Sequence, residues 1–308
     1  MGLRCAGPTL PIVVKAMVSW SGFEKIVRPG ELLAMHTWLQ LGGPAEFFAE
    51  PDDADQLTAL LCRCHEEGVV ARLLGAGSNV LARDEGVPGL VIHLSAPGFG
   101  RVQVEGQRIT AGGGAILGRV VTTAVHHGLA GMEVLIGIPG TVGGALRGNT
   151  GTRGGDVGQW TVGATVITTG GEVVERGHDD LIFGYRESNL DDPVLLDATF
   201  HLEPEDPREL AKRMQKHWIL KKAAQPLEHQ CAGCIFKDPR GSSAGELIDR
   251  AALKGTRIGG AVVSERHANF IIAEPDCTSQ DVLRLIDLVR SQVHDRMGVS
   301  LELELEIW

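Results

Sequence analysis

Two periodicities divide the chain. Between residues 38 and 202, short apolar runs alternate with polar positions at a spacing of two and are broken by glycine turns, which is the pattern of strands. Stretches 162–169, 171–176 and 194–201 alternate in this way, with Gly170 and Gly171 as a hairpin turn. Residues 102–111 read as one strand running into Gly112, Gly113 and Gly114, and 71–74 as a short buried strand. Apolar residues recur at helical spacing in 57–67 and 117–127, the second helix closed by Gly128 at a C-cap position. The character changes around 203–206. Helices are expected at 208–224, a charged amphipathic stretch ending before Pro226, at 244–252 and at 279–297, where Val282, Leu285, Ile286, Val289 and Val293 share one face. The final run 301–308 alternates strictly, which predicts a strand with Glu302, Glu304 and Glu306 on one face and leucines packed inward.

Glycine punctuates this pattern in two places. Residues 131–151 contain seven glycines in ordered spacing, with Pro139 stiffening the first turn. Each interior glycine costs a helix about 1 kcal/mol relative to alanine, so a helix is disfavoured there. A floppy surface loop is the bland alternative, but Ile136, Ile138, Val142, Ala145 and Leu146 are threaded through the segment, and flexible linkers are polar. The reading is a buried, tightly turned backbone that approaches a ligand closely and offers amide N–H groups to an anion such as a pyrophosphate. The second place follows the strand at 71–74, where Gly75, Ala76, Gly77, Ser78 and Asn79 form a turn of small polar donors. No Gly-Lys-Ser/Thr follows, which excludes a Walker loop, and the third glycine and long helix of a Rossmann fingerprint are missing. Two such loops point to a dinucleotide lying between two subdomains.

Composition narrows the picture further. A chain of 308 residues that is 43% hydrophobic can bury a core and divide into two or three units. No 18-residue apolar span is present, so membrane insertion is not expected, and a net charge of −10 argues against nucleic acid as a partner. An anionic ligand must then be held by local cations and amides. Residues 1–16 superficially resemble a signal peptide, but Pro8 and Pro11 interrupt the apolar patch; a poorly ordered extension before Met17 is expected. Of six cysteines, Cys231 and Cys234 form a CxxC without the strand-to-helix context of a redox motif, and Cys62 and Cys64 stand at no zinc-module spacing. No metal is expected, and the cysteine usage fits a reducing cytoplasm. Candidate chemistry falls in three places: Tyr185, the only tyrosine, with Arg186; Cys234 beside Lys237 and Asp238; and one of the terminal glutamates, which position alone does not choose. Cys234 reads either as a small buried hydrophobe or as a proton donor with pKa about 8.5.

Motifs at Thr37–Ala45, Gly75–Leu81, Ile138–Ala145, Phe183–Ser188, Gly233–Pro239, Ala244–Asp249, Leu253–Gly255, Ser264–Phe270 and Leu301–Leu305 together resemble the UDP-N-acetylenolpyruvoylglucosamine reductase (MurB) family. The resemblance implies an α+β architecture: a vanillyl-alcohol-oxidase-type (PCMH-type) FAD-binding fold in two subdomains, 17–97 and 98–205, plus a C-terminal α+β substrate-binding domain, 206–308. It implies non-covalent FAD across both glycine loops, held by Gly75, Ala76, Gly77, Ser78, Asn79, Ile138, Pro139, Gly140, Thr141, Gly143, Gly144 and Asn149. NADPH would be the co-substrate. Flavin N5 would then deliver hydride to the enol ether of a UDP-sugar, forming UDP-N-acetylmuramate for peptidoglycan synthesis. Arg186 and Glu304 would stabilise the enolate and Cys234 would protonate it, while Tyr185, Lys222, Lys237, Asp238, His267 and Asn269 would contact substrate. A cytoplasmic monomer is implied.

Two positions depart from the family pattern. Cys234 stands where serine is usual, and a thiol is the stronger acid. Asp238 stands where asparagine is common, and an anion there sits poorly near a diphosphate unless it faces a base edge or a cation. No tyrosine-bearing insertion separates Arg186 from Gly233, which places the chain in the shorter subclass. The rival readings are an FAD-linked oxidase on the same fold and a non-catalytic redox or nucleotide-binding protein built on the CxxC.

Overall fold

The computed structural model describes residues 18–308, so the extension expected at 1–16 and Met17 lie outside the described residues. The first sheet has four strands in the order Val27–Pro29, Ala45–Ala49, Val87–His93, Ala71–Leu74. Val87–His93 pairs in parallel with both of its neighbours, and Val27–Pro29 pairs antiparallel with Ala45–Ala49. A crossover helix, α1 (Ala54–Glu66), is started by Asp53, whose carboxylate accepts from Gln56 N at 2.8 Å. It buries Leu57, Leu60, Leu61 and Cys64, whereas Cys62 is only half-buried. Two residues apart on a helix, the two thiols face different surroundings.

The second sheet is antiparallel, with five strands in the order Val173–Gly177, Thr161–Ile167, Val194–His201, Arg108–Gly112, Val102–Glu105. The stretch 102–111, expected as one strand, is a hairpin: Gly106 takes φ +60° and Glu105 pairs with Arg108. A left-handed glycine between polar neighbours turns the chain where alternation alone runs straight on. Helix α2 (Leu117–His126) buries Leu117, Val120, Val121, Ala124 and Val125, and Gly128 follows it at φ +68°.

The glycine-rich segment holds a second correction. It contains a helix, α3 (Val142–Arg147), despite its glycine density. The Thr141 hydroxyl caps it by accepting from Gly144 N, and Val142, Ala145 and Leu146 are buried. Gly143 N donates to Gly113 O at 2.8 Å, and a Cβ at Gly143 would stand 3.1 Å from that oxygen. The helix therefore passes close over the neighbouring loop, and burial of its apolar residues offsets the cost of its glycines.

Helix α4 (Pro207–Ala224) leads to the C-terminal part, where α5 (Ala244–Arg250) and α6 (Ser279–Met297) pack with a three-stranded antiparallel sheet. Val282, Leu285, Ile286, Val289 and Val293 of α6 share a core with Leu247 and Ile248, and also with Leu39, Leu41 and Leu81 from the start of the chain. The terminal run is not one strand. Lys237 N donates to Glu302 O and Glu304 N to Ile235 O, after which Glu306–Ile307 pairs in parallel with Val80–Leu81. The segment changes partners near Leu305 and so spans two parts of the molecule. No helix among the described residues is long and apolar enough to cross a membrane.

Candidate active site

The two glycine loops meet. A Cβ at Gly75 would lie 2.6 Å from Thr141 Oγ1, and Ser78 Oγ donates to Pro139 O at 3.3 Å. Gly77 has φ +63°, and its absent Cβ would fall 2.0 Å from His36 O. Gly137 and Gly140 take φ +73° and +128°. These loops border a cleft of about 2270 Å³, lined by Gly75, Ala76, Gly77, Ser78, Asn79, Ile138, Pro139, Gly140, Thr141, Gly143 and Gly144. Pockets for drug-sized ligands measure roughly 300–1,000 Å³, so there is room for a dinucleotide and a second ligand together. Backbone without side chains on two facing turns fits the pyrophosphate of FAD.

Asn149 borders the cleft at φ +36°, but its side chain is spent on the protein: Nδ2 donates to Gly184 O at 2.7 Å and Oδ1 accepts from Gly158 N at 3.0 Å. These bonds hold the neighbouring loops in place. Asn79 Nδ2 donates to Glu304 O at 2.7 Å, tying the first loop to the terminal segment.

Arg186 sits at the tip of the hairpin Phe183–Gly184/Glu187–Ser188 with φ +58°, a left-handed conformation unusual for a side-chain-bearing residue. Its Nε lies 2.8 Å from Glu304 Oε1, yet the buried Nε–H makes no aligned hydrogen bond. A terminal nitrogen donates to Gly151 O at 3.1 Å, and the guanidinium lies 5.2 Å from the Tyr185 ring centre. Burial pushes the Glu304 carboxyl up, against the lowering effect of Arg186. Cys234 is half-buried and borders the cleft, and loss of hydration pushes its thiol up to about 12. Burial likewise raises Cys231 to about 11, which disfavours the thiolate that redox exchange uses at both members of the CxxC. Both are free.

The remaining candidates divide. Lys237 borders the cleft with its Nζ 2.6 Å from Glu302 Oε1. Asp238 Oδ1 accepts from Ala244 N at 2.8 Å, so its charge rests on the first turn of α5, and its own N–H donates to the Tyr185 hydroxyl at 3.0 Å. His267 lines the cleft, its Nδ1 accepting from Asn269 N at 3.3 Å, and burial lowers its pKa. Asn269, expected to contact substrate, is 2% exposed and gives both amide groups to the Phe236 backbone, at 3.0 and 2.8 Å. It shapes the segment that carries Cys234.

Lys222, also expected to contact substrate, is exposed and is not among the lining residues; its neighbour Lys221 is. The helix decides between them. Leu210, Met214, His217 and Lys221 are spaced by four, three and four and form the inward stripe of α4, which excludes 222. That spacing was present in the sequence as the signal for Lys221, a residue the motif reading passed over.

Residues 45–177 match an FAD binding domain, and residues 225–308 match the C-terminal domain of UDP-N-acetylenolpyruvoylglucosamine reductase. The fold and cleft thus define an FAD-dependent enzyme, with a vanillyl-alcohol-oxidase-type flavin-binding fold and an appended C-terminal domain. UDP-N-acetylenolpyruvoylglucosamine reductase 2 of Symbiobacterium thermophilum is 41% identical over 284 residues, 92% of this chain and 92% of its own. The enzyme of Rhodopirellula baltica is 40% identical over 92% of this chain and 93% of its own. The crystal structure of the reductase from Thermus caldophilus superposes with a TM-score of 0.78 at 36% identity, covering 92% of this chain and 99% of that one. The chain belongs to the UDP-N-acetylenolpyruvoylglucosamine reductase family.

Proposed function

We propose that this chain reduces the enol ether of UDP-N-acetylglucosamine to UDP-N-acetylmuramate, a cytoplasmic step of peptidoglycan synthesis that serves cell shape and division. One observation carries the reading. Arg186, Cys234 and Glu304, drawn from three distant segments, border one cleft beside the glycine cradle, in a chain 41% identical to a named reductase. Bound FAD supplies the hydride, taken from NADPH. Arg186 offers its guanidinium to the substrate carboxylate, on which negative charge grows as the enolate forms. Glu304 would donate to the same oxygens in its protonated form, the form that burial favours. Cys234, held as a thiol, gives its proton to the α-carbon, leaving a thiolate. Lys237, Tyr185 and His267 line the remainder of the cleft, where the nucleotide and sugar are to be accommodated.

An anaerobic stopped-flow experiment tests this. The protein is reduced with NADPH and mixed with the enol ether while flavin absorbance is followed. Rapid reoxidation with the lactyl ether as product is expected. Cys234→Ala should leave reduction by NADPH intact and slow reoxidation by about 10²–10⁴-fold, the usual worth of a positioned proton donor. Reduced flavin that ignores the enol ether but reoxidises in air would favour an oxidase.

A further inference from the structure

Helix α4 is pressed onto the glycine segment. A Cβ at Gly137 would meet the Trp218 ring at 2.7 Å and Lys221 Cδ at 3.1 Å, so the stem of Lys221 crosses bare backbone on its way into the cleft. Arg213 fixes the helix there, its Nη2 lying 2.9 Å from Glu133 and 2.7 Å from Glu205. Among the described residues no ion pair joins Lys221 to a carboxylate, although Glu133, Glu205 and Glu302 take basic partners nearby. Lys221 and Cys234 both border the cleft, and the charged groups close enough to act on Lys221 are Cys234 and Arg186; Glu304 and Asp238 act on Cys234 as well, and His217 lies one turn earlier on the same helix.

The charge balance of this cluster is informative. Arg186 is already engaged by Glu304 at 2.8 Å and, in the reaction proposed above, by the substrate carboxylate. A thiolate left on Cys234 therefore has one uncommitted cation beside it. We infer that Lys221 is the counter-charge and proton source for Cys234, offsetting the thiolate as it forms and then restoring the thiol. This inference rests on Cys234 being the donor. In the first step the S–H bond breaks and a C–H bond forms at the substrate α-carbon. In the second an N–H bond of Lys221 breaks and the S–H bond re-forms, and the neutral amine regains its proton from water when product leaves. No electrons change hands in either step, so no further oxidant or reductant is needed.

Burial lowers Lys221 to about 8. The ammonium form is thus complete below that pH and lost above it, which makes the role measurable. Enzyme reduced beforehand is mixed with the enol ether at a series of pH values. The wild-type reoxidation rate is expected to fall about tenfold per pH unit above pH ~8, in proportion to the ammonium that remains. Lys221→Met should lose this alkaline limb and run at least about tenfold slower at pH 7, with substrate affinity changed less than about threefold and flavin content and reduction by NADPH unchanged. Lys221→Arg keeps the charge and should move the limb beyond pH 10. Alkylation of Cys234 by iodoacetamide, read by mass spectrometry of its peptide, should slow about threefold or more at pH 9 in Lys221→Met, because the thiolate has lost its counter-charge.

A break near pH 8 that persists in Lys221→Met, once the decline belonging to Glu304 is removed by making the change in the Glu304→Gln background, or weaker substrate binding at an unchanged rate, overturns the inference. If Lys221→Met loses its flavin, the position of the limb in Lys221→Arg decides. Cys234→Ala separates the two levels. Unimpaired reoxidation there removes the donor itself, whereas slow reoxidation there with an unmoved limb in the Lys221 variants removes only the role of Lys221.

Discussion

At Glu304 two opposing effects meet: burial raises the carboxyl and Arg186, 2.8 Å away, lowers it, with burial the larger. The direction of the balance has consequences for activity and for stability. A carboxyl that must donate to the enolate works in its protonated form, so reoxidation should decline as pH rises through the raised pKa. Glu304→Gln keeps a donor at every pH. It should retain the wild-type rate at low pH to within about tenfold and lose the decline attributable to this group, whereas Glu304→Ala should lose about 10²–10⁴-fold. For stability the sign follows from linkage. A folded-state pKa above the unfolded one means that protonation favours the fold; the contribution is complete below the unfolded value and lost as pH rises through the folded one. Urea midpoints across pH should therefore show less loss on the alkaline side in Glu304→Gln than in the wild type. An unchanged pH dependence in both measurements would remove the protonated carboxyl from the mechanism.

The glycine turns supply the test at the scale of elements. Gly77 combines φ +63° with a phantom Cβ 2.0 Å from His36 O, whereas Gly98 is unstrained and has nothing within 4 Å. Gly77→Ala should push the loop off its seat, lowering FAD affinity at least about tenfold, while Gly98→Ala should stay within about 0.5 kcal/mol of wild type. Equal flavin content in the two variants would mean that the first loop is not the cradle. These turns were legible because glycine and small donors after an apolar run constrain the backbone locally. Helix α6 and the strand Val194–His201 were equally legible, since each buries a face of one period. Other elements depend on distant partners. Helix α3 forms because Gly113 receives it, the hairpin at Gly106 interrupts an unbroken alternation, and the terminal run changes partners between Ile235 and Asn79. The approach of Arg186 to Glu304 crosses 118 positions, a juxtaposition no spacing rule contains; the choice of Glu304 came from family resemblance, and the choice of Lys221 over Lys222 required the orientation of α4.

On the scale of the whole molecule, the terminal segment closes a loop between units far apart in sequence. Trp308 N donates to Leu81 O, Arg83 N donates to Trp308 O, and Glu306 N donates to Asn79 O, so the segment carrying Glu304 is hydrogen-bonded to the backbone that continues the first glycine loop. Leu305 lies at the crossing, 4% exposed, in a core that joins α5 and α6 to Leu39, Leu41 and Leu81. The first glycine loop and Glu304 therefore share one hydrophobic support, and loosening it should disturb both. Leu305→Ala removes a buried side chain at a cost of about 2–5 kcal/mol, which for a chain of this size lowers the melting temperature by roughly 5–15 °C. If FAD rests on the loop that this core supports, as proposed, its release, followed by recovered flavin fluorescence, should shift down in temperature together with the loss of helical circular dichroism. A variant that melted earlier in circular dichroism yet released flavin at the wild-type temperature would show that the C-terminal part unfolds independently of the cradle. The coupling through the terminal segment would then be a contact without energetic weight.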